Sequence, residues 1–246
     1  SSYYTLKSFL NMLQKLIDHI SIFKRKLKYK KNSYSFNSVD LIINYIFKEQ
    51  KNGFYLDVGA QHPISNNNTF LLFKKGWRGI NIDLDKKNID LFKIARPKDT
   101  NLNFAISDSE EEIDLFFYHD ASPINTLSKK VANFQDAKIT KIKKIQTKVL
   151  DNVLKDLNIH DHIDYMNIDV EGHEDQVLKG FNIKKYKPSV ISVEYLDLNM
   201  KKLEFKNNDI NNLLNSDLYK YFVQNDYYFV NWLHGDLIFI HKDFRD

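Results

Sequence analysis

The chain of 246 residues contains no cysteine, and this absence excludes several kinds of chemistry. It can have no disulfide framework, no thiolate nucleophile and no zinc site with cysteine ligands. The absence also agrees with a reducing compartment, so we expect a cytoplasmic protein. Glycine and proline are scarce, at seven and four residues, and no internal repeat is present. One domain with an N-terminal helical arm is therefore the simplest account of the chain.

Long apolar runs and an excess of one charge are also missing. No run reaches the roughly 18–20 apolar residues that a membrane-spanning helix requires, and no signal peptide is visible. The 36 Lys and Arg residues nearly balance the 32 Asp and Glu residues, which leaves a formal net charge of +4. Such a small excess does not indicate a nucleic-acid partner. With 43% hydrophobic residues, the composition indicates a packed core and not a disordered chain.

Residues 1–37 are predicted to form the helical arm, and residues 38–246 the remaining domain. Apolar residues recur at helical spacing from Phe9 to Leu27, and Lys24-Arg25-Lys26 lie near the C-terminal end, where the helix dipole favours cations. We interpret this segment as a helix packed on the domain. A homo-oligomer contact and a weak contact with a membrane surface are the alternatives.

Beyond the arm, predicted strands alternate with predicted helices. The strands are residues 54–58, 79–84, 102–107, 113–118, 144–150, 163–168 and 190–195, and a hairpin of residues 227–233 and 237–241 follows. The helices are residues 39–49 with Ser38 as the N-cap, and then 68–75, 86–95, 151–157, 174–179 and 209–222; residues 121–138 are predicted as a loop. This alternation is typical of a mostly parallel α/β sheet with helices on both faces.

Acidic residues stand where several predicted strands end, at the edge where ligands bind in such sheets. The turn after Asp57 has only Gly59 where a dinucleotide-binding turn has three glycines, which disfavours a diphosphate cofactor. Asp57 suits a ligand with an ammonium or sulfonium charge. Asp83 follows Gly59 by 24 residues, close to the place where an acid binds a ribose diol. Together they predict a nucleoside with a cationic amino-acid tail, which describes S-adenosylmethionine.

Five motifs in the chain resemble those of one known family. They are FYLDVGAQHP, NTFLLFKKGWRGINID, FAIS, IDYMNIDVEGHEDQVLKG and ISVEY, and they lie in this order between residues 54 and 195. In this order they resemble the FkbM family of S-adenosylmethionine-dependent methyltransferases. The resemblance implies a Rossmann-like sheet of seven strands with the last strand antiparallel. It also implies methyl transfer to oxygen, and we expect a sugar or glycan hydroxyl in polysaccharide biosynthesis.

The resemblance also implies a role for each matched position. Asp57, Gly59 and Ala60 match the loop that holds the methionine part of the cofactor, Asp83 matches the ribose acid, and Ala105 and Ile106 match the strand end beside adenine. His62, Asn68 and Thr69 are expected to contact the acceptor, although relatives often carry serine before this Asn-Thr pair. The expected partner is therefore a small-molecule or glycan acceptor and not a nucleic acid.

Three carboxylates and an imidazole surround Gly172, where the predicted strand of residues 163–168 passes into a helix. An alcohol is a poor nucleophile until its proton leaves, so a base or a metal is needed. The candidates to orient the acceptor or receive its proton are Asp169, Glu171, His173 and, on the neighbouring strand end, Glu194. An alternative is that Asp169 and Glu194 hold a divalent cation through their oxygens, although a resident metal is not expected.

Two other functions agree with a similar sheet. A nicotinamide-dependent sugar oxidoreductase would need a Tyr-x-x-x-Lys pair, and Tyr195 has no lysine four residues after it. A non-catalytic module that binds a partner through the basic arm would not need an acid at several strand ends. We therefore predict an O-methyltransferase.

Overall fold

The computed structural model describes residues 2–28, 30–135, 137–160, 162–198 and 204–245. Ser1 and Asp246, the outer ends of the two predicted domains, lie outside the described residues. The chain divides into two units, residues 1–33 and 34–246. In the first unit a single helix, α1 (Ser2–Lys28), carries three basic residues in its last turn. None of the described helices is both long enough and apolar enough to cross a membrane.

The second unit contains ten strands and ten α-helices among its described residues. The strands are β1 (Phe54–Val58), β2 (Arg78–Asp83), β3 (Thr100–Asn103), β4 (Ala105–Ser107), β5 (Glu112–Phe117), β6 (Lys141–Val149), β7 (Tyr165–Ile168), β8 (Val190–Glu194), β9 (Tyr227–Leu233) and β10 (Asp236–His241). The helices are α2 (Val39–Ile46), α3 (Phe70–Lys75), α4 (Lys86–Ala95), α5 (Lys129–Phe134), α6 (Leu150–Asp156), α7 (Glu174–Lys179), α8 (Ile183–Tyr186), α9 (Ile210–Asn215), α10 (Asp217–Gln224) and α11 (Lys242–Arg245). A short 3₁₀ helix spans Phe205–Asn207.

Seven of the strands form one sheet in the order β3-β2-β1-β7-β8-β10-β9. Neighbouring strands from β3 to β8 are parallel, and β10 runs antiparallel to both β8 and β9. This arrangement confirms the predicted seven-stranded, mostly parallel sheet with an antiparallel last strand and helices around it. A smaller sheet of β4, β6 and β5 lies in the same unit.

The sheet separates two hydrophobic clusters, because successive side chains of a strand point to opposite faces. On β1, Leu56 and Val58 belong to the larger cluster, whereas Tyr55 belongs to the smaller one with Val39 and Trp77. Asp57 follows the same alternation and shares the face of Tyr55. The pleat of β1 thus places a carboxylate inside the smaller core and an apolar residue on the opposite face.

Two predicted elements are each divided in the structure. Residues 102–107 are not one strand, because β3 ends at Asn103, whose side chain donates to the backbone oxygens of Asp83 and Leu84. The chain then leaves the large sheet, and Ala105 pairs with Thr147 on β6. Residues 209–222 are likewise two helices, because Ser216 is extended and its hydroxyl caps the second helix, α10.

Helix starts were less predictable than strands. Ser38 does not cap α2: its backbone is left-handed, and its side chain makes no capping hydrogen bond. The Ser35 hydroxyl instead accepts from the backbone N–H of Asp40. The predicted loop 121–138 contains α5, where the hydroxyl of Ser128 accepts from Val131 as an N-cap.

Candidate active site

A cavity of about 500 Å³ opens at the carboxyl ends of the parallel strands. Its walls come from the ends of β1, β2, β7 and β8, from the starts of β4 and β10, and from five residues between 122 and 127 in the segment predicted as a loop. Ligands in open α/β sheets bind at this edge. The cavity therefore lies where the strand-end acids predicted a site.

Gly59 directly follows β1 and packs closely against the end of β7. Its φ is +81°, and a Cβ added there would overlap the backbone oxygen of Asp169. Its N–H donates to the oxygen of Ile82 on β2, and the N–H of Asp169 donates to the oxygen of Val58. Only glycine permits both this left-handed backbone and the close approach. The turn that borders the cavity thus depends on this residue.

Asp83, the predicted ribose acid, lines the cavity at the end of β2. Its Oδ1 accepts from the N–H of Asp85 at 2.7 Å and from Asn88 Nδ2 at 3.1 Å, and its Oδ2 accepts from the N–H of Gln61 at 2.8 Å. Burial raises the pKa of Asp83 to about 6, although these hydrogen bonds act in the opposite direction. A carboxylate oxygen accepts two hydrogen bonds, so Oδ2 retains capacity for a ligand hydroxyl.

Ala105 and Ile106, the residues predicted to lie beside adenine, also line the cavity. Both are buried on β4, and Phe104 and Leu84 extend the same wall. These four side chains make one side of the cavity apolar. A flat aromatic base is the kind of ligand group that such a surface accommodates.

Asp57, predicted to face the cofactor, is absent from the cavity wall. It is fully buried, and it accepts hydrogen bonds from Asn167 Nδ2 at 2.9 Å, the Thr69 hydroxyl at 2.8 Å and Asn67 Nδ2 at 3.2 Å. Burial raises the pKa of Asp57, while its donors and the Arg96 charge lower it. In this structure Asp57 holds the segment that follows the glycine turn.

Arg96 is the cation at the centre of this buried network, and the sequence pattern did not single it out. Its side chain is fully buried and donates to the Pro63 oxygen at 2.6 and 3.1 Å, to Asn67 Oδ1 at 2.7 Å and to Thr69 Oγ1 at 2.8 Å. Arg96 and Asp57 thus secure residues 63–69 from two sides. Its position at the end of α4 offered no sequence signal for this role.

Three more of the predicted site residues have their side chains away from the cavity. Ala60 packs with Ile89 and Phe92. The His62 ring accepts from the N–H groups of Ile64 and Ser65 in its own turn. Thr69 is fully buried in the Arg96 network. The assignments of these residues to cofactor or acceptor contacts stay predictions.

Asn68 differs from its neighbours because it does line the cavity. Its Nδ2 donates to Asn167 Oδ1 at 2.9 Å, and its side chain also bonds to Asp236 at the start of β10. Asp236 accepts from Asn37 Nδ2 at 3.1 Å. This part of the wall is therefore a hydrogen-bonded polar surface.

Asp169, Glu171 and Glu194 converge on one point of the cavity wall. One carboxylate oxygen of each lies within 4.8 Å of those of the other two. Burial, together with the neighbouring carboxylates, raises the pKa of Asp169 and of Glu194 well above the usual range and that of Glu171 to about 8. The predicted catalytic acids on the two strand ends thus form one carboxylate triad.

His173 and Glu174 have positions outside this triad. The His173 ring is buried, its Nε2 lies 2.9 Å from the Ser107 hydroxyl, and it is not part of the cavity wall. Burial lowers the pKa of His173, which favours the neutral imidazole. The Glu174 carboxylate accepts from the N–H groups of Val170 and Gly172 and so closes its own turn. The role of His173 as a base stays a prediction.

Three buried polar atoms on the cavity wall lack a hydrogen-bond partner among the described residues. They are Gln135 Oε1, Glu194 Oε2 and Trp232 Nε1. A buried polar atom without a partner costs about 1–3 kcal/mol, so such atoms are rare, and a bound water or ion is one explanation for them. Sequence reasoning missed Gln135 and Trp232, because neither belongs to a strand-end motif.

The strand order defines a Rossmann-like α/β protein, and its cavity lies at the edge of the sheet where ligands bind in such folds. The methyltransferase FkbM domain profile matches residues 57–221, and the chain belongs to the FkbM methyltransferase family. A solved structure of methyltransferase FkbM from Methylobacillus flagellatus KT is similar at 13% identity with a TM-score of 0.47. The similarity covers 93% of this chain and 60% of that one. No curated protein matches the chain.

Proposed function

We propose that this protein is an S-adenosylmethionine-dependent O-methyltransferase that acts on a hydroxyl of a sugar or glycan. The observation that carries the proposal is the single cavity that joins Asp83 and the apolar wall to the carboxylate triad. A binding place for a nucleoside and a group of carboxylates that can accept a proton therefore open into the same space. Membership of the FkbM family supports methyl transfer as the reaction.

The residues present fit the cofactor. The volume of about 500 Å³ lies in the range of small-molecule sites, roughly 300–1,000 Å³. Asp83 Oδ2 has capacity for a ribose hydroxyl, and Phe104, Ala105 and Ile106 offer an apolar surface for adenine. The backbone of Gly59 leaves no side chain at the end of β1. When bound, S-adenosylmethionine supplies a methyl carbon, whose bond to sulfur breaks with its electron pair left on sulfur as the acceptor oxygen bonds to the carbon.

The carboxylate triad accounts for the second requirement, removal of the hydroxyl proton. Asp169, Glu171 and Glu194 orient the acceptor hydroxyl, and an ionised member of the triad, which its raised pKa makes a stronger base, receives the proton as the oxygen–carbon bond forms. A neutral sugar, which offers hydroxyl groups to the triad, is the acceptor class that we propose, in polysaccharide biosynthesis in the cytoplasm.

Calorimetry with S-adenosylhomocysteine tests the cofactor. We expect the intact chain to bind S-adenosylhomocysteine and not NAD. Asp83→Asn should weaken binding by roughly 10- to 100-fold, the equivalent of a hydrogen bond to a charged group of about 1.5–3 kcal/mol. Asp90→Asn, on the exposed face of α4 and paired with Lys86, removes an equal charge and serves as the matched control.

Transfer of a labelled methyl group tests the acceptor class. Neutral mono- and oligosaccharides should accept the label as a methyl ether, which resists mild base. This stability distinguishes methylation of a hydroxyl from methylation of a carboxylate, which gives a base-labile ester. If the intact chain fails to bind S-adenosylhomocysteine in calorimetry, the proposed function is wrong. If it binds but labels only a non-carbohydrate acceptor, the sugar assignment is wrong.

A further inference from the structure

The described wall of the cavity is strongly acidic. It contains six carboxylates, from Asp83, Asp85, Asp169, Glu171, Glu194 and Asp236, and neither lysine nor arginine. The proposed cofactor, with a sulfonium, an ammonium and a carboxylate, brings a net charge of only about +1. The cavity therefore offers more carboxyl oxygens than the proposed cofactor engages.

The triad of Asp169, Glu171 and Glu194 has the spacing that a single cation requires. The three ligand oxygens lie within 4.8 Å of one another. Three oxygens spaced equally around one ion are separated by at most about 1.7 times the metal–oxygen distance, which is about 4.0–4.5 Å for Ca²⁺ and about 3.5–3.6 Å for Mg²⁺. A small movement of the side chains is therefore the most that either ion requires.

Hydrogen bonding supplies an independent sign that this triad awaits a ligand. Glu194 Oε2 is buried and has no partner among the described residues, although other atoms of Glu194 remain open to the cavity. Glu174, the next acid along the chain from Glu171, instead has its carboxylate engaged by two backbone N–H groups. The described residues thus provide hydrogen-bond donors to the Glu174 carboxylate and none to Glu194 Oε2.

We infer that Asp169, Glu171 and Glu194 bind one divalent cation of the Mg²⁺, Mn²⁺ or Ca²⁺ type beside the acceptor. Hard cations of this type prefer oxygen ligands, whereas zinc sites usually include nitrogen or sulfur. The nearby ring of His173 is directed to Ser107 and does not join the triad. The sequence alone left this cation open without expecting it.

The cation would complete the site by taking the acceptor oxygen as a further ligand. Three protein oxygens leave several of the six to eight coordination positions for water and acceptor. A cation at the hydroxyl oxygen lowers the pKa of that hydroxyl. Each carboxylate needs to give only one oxygen to the cation, so another remains to receive the proton. This role rests on the proposed function, whereas binding of the cation does not.

Titration of Mn²⁺ into the chelator-treated full chain, without cofactor or acceptor, tests the inference. Calorimetry and the electron paramagnetic resonance signal of free Mn²⁺ should both report one site, and Mg²⁺ should compete for it. Glu194→Gln and Glu171→Gln keep the shape of each side chain. Each substitution should weaken Mn²⁺ binding by more than roughly 100-fold. Loss of a residue that only hydrogen-bonds to a metal ligand costs about 10- to 100-fold, and loss of the ligand itself should cost more.

Asp236→Asn is the matched control for charge. Asp236 pairs with Glu194 across the strands and lines the same cavity, but it is outside the triad. Its loss should change Mn²⁺ affinity far less than loss of Glu194. Equal losses in both variants would show general electrostatic attraction and overturn the site. Circular dichroism confirms that each variant is folded.

Two results separate this inference from the proposed function. If the intact chain binds S-adenosylhomocysteine but no Mn²⁺ at millimolar concentration, the cation site is wrong and the function stands. If Mn²⁺ binds through the triad but S-adenosylhomocysteine does not bind, the cation site stands and the function is wrong. Unchanged Mn²⁺ affinity in both triad variants would also overturn the site.

Discussion

Replacement of Arg96 by methionine tests whether a buried cation secures the loop beside the cavity. Methionine keeps much of the side-chain length and removes the charge and all donors. The Pro63 oxygen, Asn67 and Thr69 would each lose a donor at 2.6–3.1 Å. Asp57, buried on the same network, would lose the nearby positive charge that lowers its pKa.

The expected cost follows from the burial of every group involved. Removal of one partner from a buried charged network costs about 3–5 kcal/mol, because it leaves other polar groups without compensation. A typical domain has a free energy of unfolding of about 5–15 kcal/mol, so Arg96→Met should remove a large part of it. For a domain of this size the melting temperature should fall by roughly 6–20 °C.

Urea unfolding followed by circular dichroism measures this loss directly. Lys93→Met, on the same helix, removes a charge whose side chain is 59% exposed, and it should change the free energy of unfolding by less than about 0.5 kcal/mol. A loss below about 1 kcal/mol in Arg96→Met would refute the reasoning. Because residues 63–69 adjoin the cavity, affinity for S-adenosylhomocysteine should also fall in the variant that remains folded.

Three further predictions concern the cavity and the arm. Gly59→Ala should abolish S-adenosylhomocysteine binding in calorimetry, because its Cβ overlaps the Asp169 oxygen; retained affinity would contradict the assigned turn. Because burial raises the pKa of Asp83 to about 6, the folded state holds a proton that the unfolded state releases near pH 4. The free energy of unfolding should therefore fall from pH 4 to 6 by on the order of 2–3 kcal/mol more than in Asp83→Asn, and an equal pH dependence in both would contradict this. Deletion of residues 1–31 should leave S-adenosylhomocysteine affinity nearly unchanged, because no cavity residue lies there, and lost binding would show another role for α1.

Strand identity was the most predictable feature, because it depends on local composition. The apolar runs of β1, β7 and β8 were recognisable as buried strands, and their parallel pairing is confirmed. The two divided elements were not predictable from such runs. The ends of β3 and α9 depend on Asn103 and Ser216, whose hydrogen bonds are made in the folded chain.

The direction of a side chain near a strand end was harder to predict than the strand itself. Asp57 and Val58 are neighbours in the first motif, but the pleat sends them to opposite faces, and only Val58 lines the cavity. His173 and Glu171 are two residues apart, and only Glu171 lines it. A motif indicates where the chain turns, whereas the backbone angles of the turn decide which side chains enter the site.

The sequence by itself determined the class of protein. Alternating apolar strands and helices predicted a mostly parallel α/β sheet, and the five motifs between residues 54 and 195 resembled the FkbM family, to which the chain belongs. Only the tertiary structure brought Glu194 to Glu171 and Arg96 to Asp57. These pairs are far apart along the chain, and the parallel pairing of β7 with β8 and the packing of α4 beside β2 bring them together. Local patterns are set by periodicity, but contacts between distant residues depend on the register of the whole sheet.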